Sequence, residues 1–190
     1  MGQLATDTFT RADSGTLGAN WTTLAQWSNL GITSNQCKAS VSTPDCVGAY
    51  TGAGAIALNM YAQCLLATVA LDGGPCVRMN PTSNDLYLLD TGPTTCDIYK
   101  HVAGTWVLLS TVSTTWASND VAYLEVQGTT IVSKQNGTLR NSLTDTAIDG
   151  STVGGPYAGL YGGGATIVFD TFEVGNFVSL LRQMFQQAGA

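Results

Sequence analysis

Apolar and polar residues alternate with a period close to two along most of the chain, and turn-forming residues cut the alternation at short intervals. Leu65, Ala67, Val69 and Leu71 alternate with Leu66, Thr68 and Ala70 ahead of a turn expected at Asp72-Gly73-Gly74. Short apolar runs follow at Cys76-Val77-Arg78-Met79, Leu86-Tyr87-Leu88-Leu89 and, through Gly104, Trp106-Val107-Leu108-Leu109. Between Val121 and Gln127, Val121, Tyr123 and Glu125 share one face of a strand, and Ala122, Leu124 and Val126 share the other. Asn136-Gly137 is a two-residue hairpin signal, since both positions tolerate positive φ. Ala165 to Val174 reads as the last strand. About a dozen short strands with no helix between them predict a sandwich or barrel and exclude βαβ units.

The pattern changes after Gly175. Phe177, Leu180, Leu181, Met184, Phe185 and Ala188 recur at the spacing of one helical stripe. So short a helix is marginal alone in water, so its apolar face needs a surface to cover it. That surface is either its own sandwich or another subunit; a frayed terminus is the third reading. The expected architecture is therefore all-β: residues 1–175 form a two-sheet antiparallel β-sandwich, and residues 176–190 form a short C-terminal amphipathic helix.

Composition narrows the function classes. Of 190 residues, 44% are apolar, enough for a sizeable core, while only 11% are charged. The net charge is −6 and the seven basic residues are scattered, which argues against nucleic-acid binding. No run approaches the roughly 20 apolar residues of a membrane helix, and the first residues lack a secretory leader. Taking Met1 as the start, the expectation is a protein made in the cytoplasm. Five cysteines without a CxxC, beside a single His101, speak against structural zinc. Cys64, Cys76 and Cys96 sit in apolar runs and are expected as buried thiols; Cys37 and Cys46 are the best disulfide candidates.

Some of these segments resemble a known family. Asp7-Thr8-Phe9 followed by Leu17-Gly18-Ala19-Asn20-Trp21 is similar to the opening of concanavalin A-like, LamG-like jelly-roll domains. Residues 121–128 with Asn136-Gly137 resemble their central hairpin, and Gly159-Leu160-Tyr161 with residues 168–174 their closing strands. The resemblance implies a jelly roll in which the terminal strands pair, consistent with the echo between Asp7-Thr8-Phe9 and Asp170-Thr171-Phe172. It is nearly silent on function, since that superfamily holds lectins, glycan-binding modules, hydrolases, lyases and virion proteins.

Catalysis is not expected. The chain has only two Glu, Glu125 and Glu173, far apart in sequence, and no paired-carboxylate motif of a glycoside hydrolase. Glu125 reads as part of an exposed strand face. A lyase-like cluster of His101, Tyr99, Tyr87 and Arg78 has no spacing to support it. The resemblance suggests a structural calcium at Asp170, with Asp7 beside it if the termini pair; no other cofactor is expected. Tyr87, Tyr99, Trp116, Tyr157 and Tyr161 are candidate platforms for sugar rings, whereas Trp21 and Trp106, among apolar neighbours, read as core. Phe177, Leu180, Leu181, Met184 and Phe185 are the candidate assembly residues.

Two non-catalytic readings follow. In the first, the chain is a structural or adhesion protein of a virus particle, a capsid decoration or tail-fibre component assembled in the host cytoplasm. Its partners would be other protein subunits, in a homo-oligomer or a larger assembly. In the alternative it is a lectin-like glycan-binding module, with polysaccharide as partner and an extracellular setting. Neither involves nucleic acid or membrane.

Overall fold

The computed structural model describes residues 2–40, 45–69, 72–164 and 167–177. Among them are fifteen strands and no helix. In chain order these are β1 (Gly2–Asp7), β2 (Trp21–Thr23), β3 (Leu30–Thr33), β4 (Gln36–Ala39) and β5 (Cys46–Tyr50). Then come β6 (Met60–Thr68), β7 (Gly73–Met79), β8 (Leu86–Asp90), β9 (Thr95–Val102) and β10 (Thr105–Ser113). The last five are β11 (Val121–Gln127), β12 (Thr130–Gln135), β13 (Thr138–Thr144), β14 (Tyr157–Gly162) and β15 (Val168–Asn176).

They form two antiparallel sheets. The first has the order β13-β12-β11-β6-β15-β4-β3, with β1 also paired to β15; the second has the order β10-β9-β8-β7-β14-β5-β2. The terminal strands pair as expected, with Asp7 opposite Phe172. Tight turns set the hairpins. Asn136 and Gly137 both have positive φ (51° and 79°), as do Ala103 and Gly104 (50° and 80°), so each two-residue loop matches the twist of its strands.

The inner faces interleave into one core. Ala122, Leu124 and Val126 of β11 turn inward, as their spacing predicts, to meet Cys64 and Leu66 of β6 and Phe172 and Val174 of β15. From the second sheet come Val77, Tyr87, Leu89, Ile98 and Leu160. Trp21 is half-buried against the core, packing edge-on against Phe172 at 4.9 Å and Tyr50 at 5.2 Å. All five cysteines are buried thiols, and Cys37 and Cys46 form no bridge: they lie on β4 and β5, in different sheets.

Two local expectations are corrected. Asp72-Gly73-Gly74 is not a free turn, because Gly73 and Gly74 already belong to β7. Gly74 is required by close approach, since a Cβ there would collide with the carbonyl of Leu89. Glu125 is not on an exposed face: it is 9% exposed, hydrogen-bonded by the Tyr123 hydroxyl at 2.6 Å and paired with Lys134 at 3.1 Å. The tail expected to be helical, with Leu180, Leu181, Met184 and Phe185, lies outside the described residues beyond Phe177. Phe177 itself packs edge-on against Tyr61 of its own sandwich at 6.0 Å, and its N–H donates to Asn59.

Candidate functional site

Strand alternation divides the second sheet into a core face and an outer face, and the outer face carries a second apolar cluster. Leu24, Val47, Ala49, Cys76, Met79, Leu86, Leu88 and Tyr161 are buried there, with Trp27, Tyr99, Trp106 and Tyr157 partly buried against them. Cross-strand register builds the cluster. His101 of β9 stands between Leu86 of β8 and Trp106 of β10, and Tyr99 stands between Leu88 and Leu108. Trp106 is therefore not a core residue: it stands on the outer face, in edge contact with Tyr161 at 5.6 Å, Tyr99 at 6.1 Å and Trp27 at 5.6 Å. The His101 ring lies 4.8 Å from that of Trp106 and is fixed by an Nδ1 hydrogen bond of 2.8 Å to the carbonyl of Asn84.

Beside these rings is a pocket of about 210 Å³ lined by Asp45, Asp72, Leu88, Asp90, Tyr99, Trp106 and Tyr161. Asp90 registers directly opposite Asp97 on the neighbouring strand, so both carboxyls stand on the same face. The Tyr161 hydroxyl donates to Asp45 at 2.7 Å. Burial pushes the Asp90 carboxyl up to about 7, reinforced by the negative charge of Asp72, Asp97 and Asp45 and opposed by a hydrogen bond from the Gly73 backbone. Oδ1 of Asp90, Oδ1 of Asp97 and Nε1 of Trp27 are buried without a hydrogen-bond partner. Such groups are rare in folded proteins; of the five among the described residues these three stand on this face, and the others are Asn84 Oδ1 and Arg140 Nε.

The other candidates separate. Tyr99 and Tyr161 are in this pocket, and Tyr157 is at the edge of the same cluster. Tyr87 is fully buried on the core face, its hydroxyl donating to Asp145 at 2.7 Å, and offers a sugar nothing. Trp116 is 4% exposed, its indole N–H spent on the carbonyl of Thr95, and is likewise no platform. Asp7 is occupied by a two-pronged ion pair with Arg11 (2.7 and 3.0 Å) and by the Trp21 indole at 2.7 Å. Asp170 accepts a long hydrogen bond from Gln36 at 3.5 Å. Among the described residues no three His, Cys, Asp or Glu side chains converge as metal ligands. The lyase-like quartet is also split: His101 and Tyr99 stand on the outer face, Tyr87 in the core, and Arg78 is tied to the carbonyls of Leu58, Ile148 and Gly128. A larger cavity of about 530 Å³, near Asp13, Gly31 and Lys38, has no aromatic side chain in its lining.

Sequence reasoning missed Trp27, Trp106 and the four aspartates. Their signal was faint, because Asp90 and Asp97 come together only through the β8–β9 register.

No protein-family model matches the chain, and no curated protein matches it. Solved structures do. A galectin-like protein of unknown function from Bacillus subtilis superposes with a TM-score of 0.61 at 12% identity, covering 93% of this chain and 96% of that one. Bacillus licheniformis β-glucanase gives 0.59 at 12% identity over 93% and 99% of the two chains. The carbohydrate-binding module CBM66 from Bacillus subtilis gives 0.57 at 15% identity over 83% and 92%. The fold is the two-sheet jelly roll these structures share. At these identities the likeness speaks for the jelly roll alone, and the chemistry has to come from the outer face of its second sheet.

Proposed function

We propose that this jelly roll is a glycan-binding module that takes its ligand on the outer face of the second sheet. One observation carries the reading: half-buried Trp106 and Tyr99, with Tyr161, wall a pocket that also holds one unpaired buried acceptor, Asp90 Oδ1. A sugar ring has apolar C–H faces and equatorial hydroxyls. Aromatic walls bury the first, and buried acceptors such as Asp90 Oδ1 are satisfied by the second. Two of the structural neighbours, a carbohydrate-binding module and a glucanase, are proteins of carbohydrate chemistry on the same fold, which supports the reading by analogy.

Intrinsic tryptophan fluorescence against a panel of oligosaccharides tests it, because Trp106 and Trp27 report from the face itself. A saturable change is expected, with affinity falling at least about tenfold in Trp106→Ala. Identical titrations for wild type and variant would place the ligand elsewhere.

A second reading is favoured by a single feature, the Asp90–Asp97 pair. Retaining glycoside hydrolysis uses one protonated and one ionised carboxyl about 5–5.5 Å apart, and Asp90 is held protonated up to about 7. Release of reducing ends from a bound oligosaccharide, lost in Asp97→Asn, would establish it. The particle-component reading keeps its support in the low-charge, Thr- and Gly-rich composition; glycan binding stands ahead of it because it has a site.

A further inference from the structure

We propose that the acid-lined pocket selects glycans bearing a free amino group, with the ammonium seated against Asp90 between Tyr99, Trp106 and Tyr161; this rests on the glycan-binding reading above. The pocket lining contains three carboxylates and no Lys or Arg. Lys100, on the strand that carries Tyr99, is turned away: its Nζ lies 2.7 Å from Asp145. The Tyr161 hydroxyl is already spent on Asp45 and cannot donate to Asp90. Asp90 is 8% exposed, and its Oδ1 has no donor. Of the donors a sugar can bring, an ammonium serves such an oxygen best. It forms a charge-assisted hydrogen bond, neutralises the mutual repulsion of Asp45, Asp72, Asp90 and Asp97, and is attracted by the faces of the surrounding rings. A uronic acid or sulfated sugar would add like charge and be rejected. N-acetylation would remove the attraction while leaving the ring contacts.

The seat is coupled to protons. Asp90 faces Asp72 before β7, Asp97 and Tyr99 of β9, Asp45 before β5 and Tyr161 of β14, with the Gly73 N–H its hydrogen-bond donor. Where Asp90 still holds its proton an arriving ammonium displaces it, so affinity should pass through a maximum where Asp90 is ionised and the ligand's amine is still charged, and fall on either side.

Titration calorimetry on the full chain decides the matter, using a β-1,4-linked glucosamine oligomer, its fully N-acetylated counterpart, a cellulose oligomer and a galacturonate oligomer of equal length. We expect the glucosamine oligomer to bind about tenfold tighter than the acetylated and neutral ones, with proton release and no detectable galacturonate binding. Asp72→Asn, at an exposed position that leaves folding intact, should shrink the amino preference several-fold. Equal affinity for amino and neutral oligomers would overturn the selectivity and leave the glycan reading standing. Failure of every oligomer to bind would overturn both. Spermine bound as tightly as the amino sugar would show that the pocket reads charge without reading a sugar, and would overturn the proposal.

Discussion

Burial and three neighbouring carboxylates raise Asp90 to about 7 in the folded chain, whereas in the unfolded chain it titrates near its ordinary value. A raised folded-state value means that the folded protein holds the proton more tightly. The resulting stability is complete below about 4 and is lost as pH rises through about 7. Asp90→Asn, which keeps the shape and removes the charge, is therefore expected to raise the urea midpoint at pH 8 and change it little at pH 4. Equal shifts at both pH values would show that Asp90 is not held against its charge. Asp7 is the opposite case. Burial works to raise it, but hydrogen bonds from Arg11, Trp21 and Phe9 outweigh burial and lower it, so that carboxylate supports the fold at neutral pH and fails it only in acid.

Among the elements, the hairpins were legible because turn chemistry is local. Asn136-Gly137 turns where its residue types say it must, and Gly137→Val should cost about 1–2 kcal/mol for forcing a branched side chain into the left-handed region. A midpoint unchanged in urea denaturation would mean that the loop relaxes without strain. Face assignments were legible wherever one face is wholly apolar, as with Ala122, Leu124 and Val126. They were not legible at Trp106. Period two says which residues of β10 share a side, but its Trp, Val and Leu residues stand on both sides, so nothing in the strand says which side is covered. Gly73-Gly74 misled for a related reason. Glycine marks a turn and a tight strand contact alike, and only the neighbouring Leu89 carbonyl distinguishes them.

At the scale of the molecule, the two aromatic groups stand in different places, one between the sheets and one on an outer face. Phe172, 1% exposed and ringed by Trp21 and Tyr50, holds the sheets together, and Phe172→Ala is expected to cost about 3–5 kcal/mol. Trp106→Ala should cost far less stability and most of the binding; the same pair of variants in urea and in oligosaccharide titrations separates scaffold from site. The all-β sandwich was readable from the chain, but the pairing that makes the site was not. β14 inserts between β7 and β5, and β6 between β11 and β15, so Tyr161 reaches Trp106 and Asp45 through long-range pairings that leave no local trace. Tyr87 fails as a platform for the same reason: an aromatic in a strand has two sides to face, and the far sheet decides; Trp116 fails because the loop before β11 folds it inward onto the Thr95 carbonyl.

The five thiols give the folded chain an internal clock. They sit on β4, β5, β6, β7 and β9, two in the first sheet and three in the second, all out of reach of solvent. Burial keeps Cys37, Cys64 and Cys76 in the unreactive thiol form. An alkylating reagent can therefore mark each one only when its own part of the sandwich opens. Five matching rates would mean that the jelly roll opens as one body, and a faster subset would map the seam where it first comes apart.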